Sequence, residues 1–277
     1  MAFKSIVTVW DGKEESRTAL RAATRLAGDA SGHLDILCLG LDRTPVGYYS
    51  DAAMEVLDSF HKAAVTEAET RAAEAKRLMQ AEVISSAVRT AAVRYAEIGR
   101  AVGDAAWHQD LVVLPKPYGP DGDETPEIVT EAALFESVTP VLVVPSEAVE
   151  PAPRRILVAW NGSAQAMRAV RAALPLLAAA EEVVIAVVDP GRHEANEADP
   201  GRALAVMLAR HGAHAAISVI AETGPSVAHM LNRAAREAGM EMIVMGAYGH
   251  SRFRERLLGG ATRDMLKTAE VPVLMAR

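Results

Sequence analysis

A glycine-rich loop near the carboxyl terminus carries the residue types with the most specific chemistry in this sequence. Two residues separate Gly246 from Gly249, nine separate Gly249 from Gly259, and Gly260 follows directly. Glycines at this spacing let backbone N–H groups approach an anion closely, and a helix that starts after such a loop adds N–H donors and a favourable dipole. The spacing therefore predicts a binding site for phosphate or a similar anion.

Other polar residues of the loop fit an anion site, although a simpler interpretation stays open. Thr262 would place a hydroxyl in the first turn of the following helix, and three arginines would add positive charge near a phosphate: Arg252, Arg254 and Arg256. Alternatively, the arginines form a solvated face together with Glu255, and the glycines only satisfy turn geometry. No histidine has partners at metal-ligand spacing, so the sequence predicts no metal site.

The elements around this loop predict the framework that positions it. In the second half of the chain, short apolar runs alternate with segments of helical periodicity, including a helix over 202–210 and a strand over 241–245 directly before the loop. Five strands alternating with helices predict an α/β fold with a parallel sheet covered on both faces. Ligands of such doubly wound sheets bind beyond the carboxyl ends of the strands, which is where the glycine loop falls.

The chain contains an internal repeat at an offset of 150 residues. The segment 6–12 matches 156–162, and each segment is an apolar strand that ends in Trp, then Asp or Asn, then Gly. A proline-rich segment, 145–153, lies between the halves and indicates a linker. We therefore predict two tandem domains, 1–148 and 154–277.

The first half lacks the glycines of the corresponding loop. Pro115 stands opposite Gly246, and counting back from the end of the repeat places Glu127 opposite Gly259. A proline has no N–H to offer, and a carboxylate repels a phosphate. The first half keeps an acid, Asp11, after its first strand, but its loop predicts a domain that binds no phosphate and serves packing and pairing.

The Gly-x2-Gly-x9-Gly loop resembles the nucleotide-binding signature of the universal stress protein family, and the repeat extends the resemblance over both halves of the chain. The resemblance is to the tandem two-domain type, within the adenine nucleotide alpha-hydrolase-like superfamily. It implies two doubly wound, Rossmann-like domains of five parallel strands each. It also implies a nucleotide site in the second half, made of Asn161, Val187, Gly246, Gly249, Ser251, Gly259, Gly260 and Thr262.

Two of these residues depart from the family pattern. Members that bind ATP usually have Ser or Thr after the last glycine of the signature, where this chain has Gly260, and Asp after the first strand, where it has Asn161. Gly260 removes one hydroxyl ligand but keeps its backbone N–H. Asn161 still donates and accepts hydrogen bonds, although it has no charge. The departures predict weaker phosphate binding without requiring its loss.

The resemblance implies a stress-response regulator or switch whose carboxyl-terminal domain binds ATP, ADP or AMP, with or without magnesium. We assign no catalytic residue, because the sequence shows no compact acid/base cluster, and we expect weak ATP hydrolysis at most. Two alternatives stay open. One is a ligand-independent tandem scaffold for protein interactions. The other is an enzyme that forms acyl-adenylates or splits pyrophosphate, against which the missing Ser-Gly-Gly loop after the first strand counts.

Composition and charge disfavour several classes of partner. The formal net charge is −7, which argues against nucleic acid and anionic membrane surfaces. No apolar run approaches the roughly 20 residues that span a bilayer, and the charged start of the chain is unlike a signal peptide, so the sequence predicts a cytoplasmic protein. The single cysteine, Cys38, lies in an apolar run and is predicted to be a core residue.

The last strands of the two halves are predicted to pair. The apolar runs 141–144 and 273–275 occupy the same place in each repeat. An exposed sheet edge calls for cover, and universal stress proteins commonly pair through their last strands. The resemblance therefore implies a pseudo-dimer within the chain, with a homodimer of chains as a further expectation.

Overall fold

The computed structural model describes residues 3–44, 53–118, 123–145, 153–188, 201–221, 223–248 and 260–277. Strands and helices alternate along these residues. The strands are β1 (Ser5–Trp10), β2 (His33–Asp42), β3 (Ser85–Arg94), β4 (Leu111–Pro115), β5 (Val141–Val144), β6 (Arg155–Ala159), β7 (Glu182–Val188), β8 (Ala215–Ile220), β9 (Met242–Gly246) and β10 (Val273–Ala276). The helices are α1 (Glu14–Asp29), α2 (Ala53–Met79), α3 (Ile98–Ala106), α4 (Thr125–Phe135), α5 (Ala164–Ala179), α6 (Arg202–Arg210), α7 (Val227–Glu237) and α8 (Ala261–Thr268).

The described residues form two compact units. The first holds Phe3–Pro115 and Asp123–Thr139, and its strands lie in the order β3-β2-β1-β4 with every pair parallel. The second holds Pro140–Arg277 and the described part of 116–122, and its strands lie in the order β5-β10-β9-β6-β7-β8. The pairs from β10 to β8 are parallel. Each repeat thus supplies five strands, and the predicted α/β architecture is confirmed.

In both units the winding direction reverses beside the first strand of the repeat. The chain runs outward from β1 to β2 and β3, and then returns to place β4 on the other side of β1. The second unit repeats this course, with β7 and β8 on one side of β6 and β9 on the other. The carboxyl ends of β1 and β4, and those of β6 and β9, are therefore the places where a ligand crevice is expected.

Local sequence signals account for the ends of the helices in the second unit. The hydroxyl of Ser163 accepts the Ala166 N–H at 3.1 Å and caps α5, as the sequence predicts. Gly212 and Gly239 follow α6 and α7 with φ of +86° and +60°, which ends each helix in the left-handed region. The strands are held by apolar burial, since Ile243 and Val244 in β9 have no exposed surface.

The strand β5 pairs with β10 in antiparallel register, so the predicted meeting of the runs 141–144 and 273–275 is confirmed. Val273 lies opposite Val143, and Met275 lies opposite Val141. The other edge of β10 pairs with β9 in parallel. The fifth strand of the first repeat therefore belongs to the sheet of the second unit and covers an edge that β10 would otherwise expose.

Some strand boundaries differ from those predicted. The strand predicted over 241–245 is found at Met242–Gly246. The last strand begins at Val273, because the preceding Pro272 has no N–H to donate to a ladder, although its carbonyl accepts the Ile243 N–H at 2.9 Å. None of the helices described here is long and apolar enough to span a membrane.

Candidate functional site

Three residues of the predicted nucleotide site lie at one edge of the second unit. The strands β9, β6 and β7 are parallel neighbours, so their carboxyl ends meet at that edge. Gly246 is the last residue of β9, Asn161 follows β6, and Val187 is the next-to-last residue of β7. Asn161 is exposed, whereas Val187 is 4% exposed. The side chain of Val187 therefore lies in the core, and its part in nucleotide binding stays a prediction.

Gly246 has a packing role that the sequence did not reveal. A Cβ atom at this position would lie 2.5 Å from the backbone nitrogen of Ala166 and 2.7 Å from the carbonyl carbon of Gln165. Both atoms belong to the first turn of α5, which is separated from Gly246 by most of the repeat. The glycine therefore lets α5 start directly against the end of β9, whether or not a ligand is bound.

Hydrogen bonds hold the backbone at the end of β9, before the glycine loop, and at the start of α8, after it. The Ala247 N–H donates to the carbonyl oxygen of Ala276 at 2.8 Å, and the Tyr248 N–H donates to Oγ1 of Thr262 at 3.0 Å. Tyr248 has φ of +51°, so the chain turns sharply as it leaves the sheet. Thr262 is 4% exposed. Its hydroxyl closes the base of the loop, and sequence reasoning, which assigned it to phosphate, missed this role.

Gly260 is the N-cap of α8. It has φ of −72° and ψ of 150°, its carbonyl oxygen accepts the Asp264 N–H at 3.0 Å, and glycine has no side chain with which to cap the helix. The first turn of α8 therefore begins beside the end of β9 without a side-chain cap. Three further residues of the predicted site, Gly249, Ser251 and Gly259, lie outside the described residues, as do Arg252, Arg254 and Arg256.

Asn161 forms the same turn as its counterpart in the first repeat. Its Oδ1 accepts the Ser163 N–H at 3.1 Å, and Gly162 between them has φ of +72°. In the first repeat, Oδ1 of Asp11 accepts the Lys13 N–H at 2.9 Å across Gly12, whose φ is +87°. The side chain after the first strand is therefore a turn former in both repeats.

The first unit contains a cleft that the sequence did not predict. It has a volume of about 430 Å³ and lies at the carboxyl ends of β1, β2 and β4 and the start of α4. Asp11 and Pro115, which correspond to Asn161 and Gly246, line it. Trp10, the last residue of β1, also lines the cleft.

The start of α4 in the first unit carries its own carboxylate. Oδ1 of Asp123 accepts the Thr125 N–H at 2.9 Å, and Lys13 Nζ donates to Oδ2 at 2.9 Å. Partial burial raises the pKa of Asp123, but the hydrogen bonds from Thr125 and Lys13 outweigh it and lower that pKa to about 2. The carboxylate is therefore ionised at neutral pH and occupies the helix start at which a phosphate would bind.

Metal-binding clusters are absent from the part of the chain that the structure describes: no group of three or more His, Cys, Asp and Glu side chains could hold an ion. The one cysteine, Cys38, is fully buried in β2, and burial raises its pKa to about 12. The thiol is therefore protonated at neutral pH.

Residues 153–277 match the model of the universal stress protein family. A universal stress protein from Archaeoglobus fulgidus is similar over the whole length: 99% of this chain and 97% of that chain superpose with a TM-score of 0.73 at 16% identity, which shows a shared fold. No curated protein matches the chain significantly.

Two other solved structures match about half of the chain. A protein of the universal stress protein family from Burkholderia pseudomallei is 31% identical over 43% of this chain and 92% of its own, with a TM-score of 0.32. A universal stress protein in complex with cAMP is 20% identical over 46% of this chain and 98% of its own, with a TM-score of 0.35.

Proposed function

This chain belongs to the universal stress protein family, and we propose that its second repeat binds ATP or a related adenine nucleotide at the carboxyl ends of β6, β7 and β9. The observation that carries the proposal is the closure of the glycine loop by Tyr248 and Thr262. This hydrogen bond brings the first turn of α8 to the end of β9, where a Rossmann-like sheet holds its ligand. The family includes a member whose structure was solved with cAMP.

The phosphate groups lie at the start of α8. The N-cap there is Gly260, which has no side chain with which to cap the helix, and backbone N–H groups at a helix start are common ligands of an anion. The helix dipole favours an anion at this end. The family resemblance assigns Gly249, Ser251 and Gly259, which lie outside the described residues, to the same phosphate site.

The nucleoside lies over β6 and β7. The backbone of Val187 and the amide of Asn161 supply its hydrogen bonds, and Asn161 contributes without a formal charge. No residue of this site is assigned as a general acid or base. Nucleotide binding therefore acts as a switch that changes how the protein meets a partner in the cytoplasm, with magnesium bound through the phosphates and hydrolysis weak at most.

The test is isothermal titration calorimetry of the full chain with ATP, ADP, AMP and cAMP, with and without magnesium, on wild type and on Gly260→Asp. The variant places at the start of α8 the carboxylate that Asp123 places at the start of α4. An aspartate caps a helix start about as well as glycine, within a few tenths of a kcal/mol, so folding is preserved. We expect one saturable nucleotide site in wild type and at least about tenfold weaker binding in the variant, equal to 1.4 kcal/mol.

A neutral control separates charge from bulk. Gly260→Asn has nearly the same volume as Gly260→Asp but no charge, so it should weaken binding less. Wild-type protein that binds none of the four nucleotides would overturn the proposal and favour a ligand-independent scaffold for protein interactions.

A further inference from the structure

The cleft of the first unit has the size of a small-molecule site. Its volume of about 430 Å³ falls within the range of roughly 300–1,000 Å³ that ligand pockets occupy. Its apolar wall is formed by side chains from the ends of three strands and from α4: Val9, Leu39, Leu41, Leu114, Pro126 and Val129. The interior is therefore suited to an apolar ligand.

A buried donor lies in the wall of this cleft. Trp10 has no exposed surface, and within the part of the chain that the structure describes its Nε1–H finds no acceptor. An indole N–H almost always has a partner when it is buried, because losing its hydrogen bond to water is unfavourable. A ligand with a hydrogen-bond acceptor supplies the missing partner.

In the first unit, the Asp123 carboxylate lies at the helix start where a phosphate would bind. The Asp123 carboxylate accepts the Thr125 N–H at the start of α4 and binds Lys13 at 2.9 Å. Pro115, at the end of β4, has no N–H to offer. A phosphate at this helix start would have to compete with the Asp123 carboxylate for the Thr125 N–H.

The charged side chains of the cleft wall balance one another. Among the described residues of the wall, three are basic (Lys13, Arg43 and Arg71) and three are acidic (Asp11, Asp42 and Asp123). Five of these side chains form hydrogen bonds or ion pairs within the unit. Lys13 binds Asp123, and Arg71 binds Glu67 and the Leu39 carbonyl. Asp11 accepts a hydrogen bond from Ser16, and Asp42 accepts one from Thr44. Arg43 lies 3.5 Å from Glu67. The described part of the wall therefore has a formal charge of zero, which does not favour an ionic ligand.

We propose that this cleft binds an uncharged, mostly apolar organic molecule that carries a hydrogen-bond acceptor for Trp10 Nε1. The two repeats then take ligands of opposite character: an anionic nucleotide at the uncapped start of α8, and a neutral molecule beside the self-capped start of α4. The proposal stands on the contacts of the first unit alone, so it survives or fails independently of nucleotide binding in the second.

The test uses Nile red, a neutral apolar dye with carbonyl and ring-nitrogen acceptors, titrated into the full chain and followed by its fluorescence. We expect one saturable site. Leu41→Trp, on the half-buried wall of the cleft, should fill the cavity and abolish that site. Val83→Trp adds the same side chain at a fully exposed position outside the cleft and should leave the titration unchanged.

Two further measurements address the ligand's chemistry. Trp10→Phe removes the donor while keeping an aromatic ring, and it should weaken Nile red binding about fivefold to tenfold. Millimolar ATP should not displace the dye from wild type, whereas a nucleotide site in this cleft would release it. Circular dichroism melts confirm that each variant is folded. Dye binding that persists in folded Leu41→Trp, or dye release by ATP, would overturn the proposal.

Discussion

The backbone N–H of Tyr248 donates a hydrogen bond of 3.0 Å to the hydroxyl oxygen of Thr262. These residues stand on either side of the glycine loop, so the bond fixes where the loop leaves β9 and where it enters α8. Thr262 is 4% exposed, and little water can replace its hydroxyl as the acceptor. The geometry of the proposed phosphate site therefore depends on the side chain of Thr262, which lies at the base of the glycine loop.

Removing this acceptor should destabilise the second unit. Thr262→Val keeps the shape of the side chain and should lower the free energy of unfolding by about 1–3 kcal/mol, because the part-buried Tyr248 N–H loses the hydroxyl that accepts its hydrogen bond. Thr262→Ser keeps the hydroxyl and loses one methyl group, which costs about 1 kcal/mol. Urea unfolding of both variants measures the difference. A loss in Thr262→Val no larger than that in Thr262→Ser would show that the hydrogen bond contributes little.

Two glycines of the second unit should respond differently to substitution. Gly246→Ala should cost about 1–3 kcal/mol, because its Cβ would meet the backbone of Ala166 at 2.5 Å. Gly162→Ala meets no atom within 4 Å but must hold φ of +72°, which costs about 1–2 kcal/mol. Asparagine separates the causes, since it tolerates positive φ. Thermal unfolding should show Gly162→Asn recovering most of the loss, and Gly246→Asn falling below Gly246→Ala.

The Asp123 carboxylate should stabilise the first unit in a pH-dependent way. Its pKa is lowered from 3.8 to about 2 in the folded protein, so the folded state binds its proton less readily than the unfolded chain. The stabilisation is therefore complete above about pH 4 and is lost as the pH falls through about 2. Urea unfolding of wild type and Asp123→Asn should give a constant difference from pH 7 to pH 5 that shrinks toward pH 2. A difference that does not change with pH would contradict this assignment.

Restoring a hydroxyl at the last position of the glycine signature should tighten nucleotide binding. Gly260→Ser supplies the ligand that ATP-binding members of the family carry there. One added hydrogen bond to a charged phosphate is worth about 1.5–3 kcal/mol before its ordering cost, so we expect a roughly fivefold to thirtyfold lower Kd for ATP. Calorimetry measures the change. Unchanged or weaker binding would place the phosphates away from the start of α8.

Cys38 should resist thiol reagents in the folded protein. Burial raises its pKa to about 12, so the reactive thiolate is nearly absent at pH 8, and the side chain has no exposed surface. Ellman's reagent should label one thiol per chain at once in guanidinium chloride and at least about 100-fold more slowly in native buffer. Rapid labelling of native protein would indicate that β2 opens readily.

The fold of each repeat could be predicted because its signals are local. Apolar runs, helical periodicity and the Ser163 cap are read over a few consecutive residues, and the helix predicted over 202–210 is found at Arg202–Arg210. The repeat at an offset of 150 residues then extends one prediction to both halves. The pairing of β5 with β10 could also be predicted, because two equivalent apolar strands at the ends of the repeats need cover.

The roles of the predicted site residues were harder to predict from the sequence, because the same residue type can serve either packing or binding. Gly246 follows the signature, yet the structure shows it against Gln165 and Ala166. Thr262 was assigned to phosphate, yet its hydroxyl accepts from Tyr248. A sequence pattern shows that a glycine or a hydroxyl is present, but it does not show which neighbouring group contacts that residue.

The sequence by itself determined the repeat, the order of strands and helices, and the loop at the end of β9, because these follow from hydrophobic periodicity and from the backbone preferences of glycine and proline. Only the tertiary structure decided that Lys13 reaches Asp123 and that Trp10 lines a cleft in which no described residue accepts its indole N–H. These contacts join residues about a hundred positions apart, or leave a buried group unpaired. They depend on how elements pack, which no local pattern encodes.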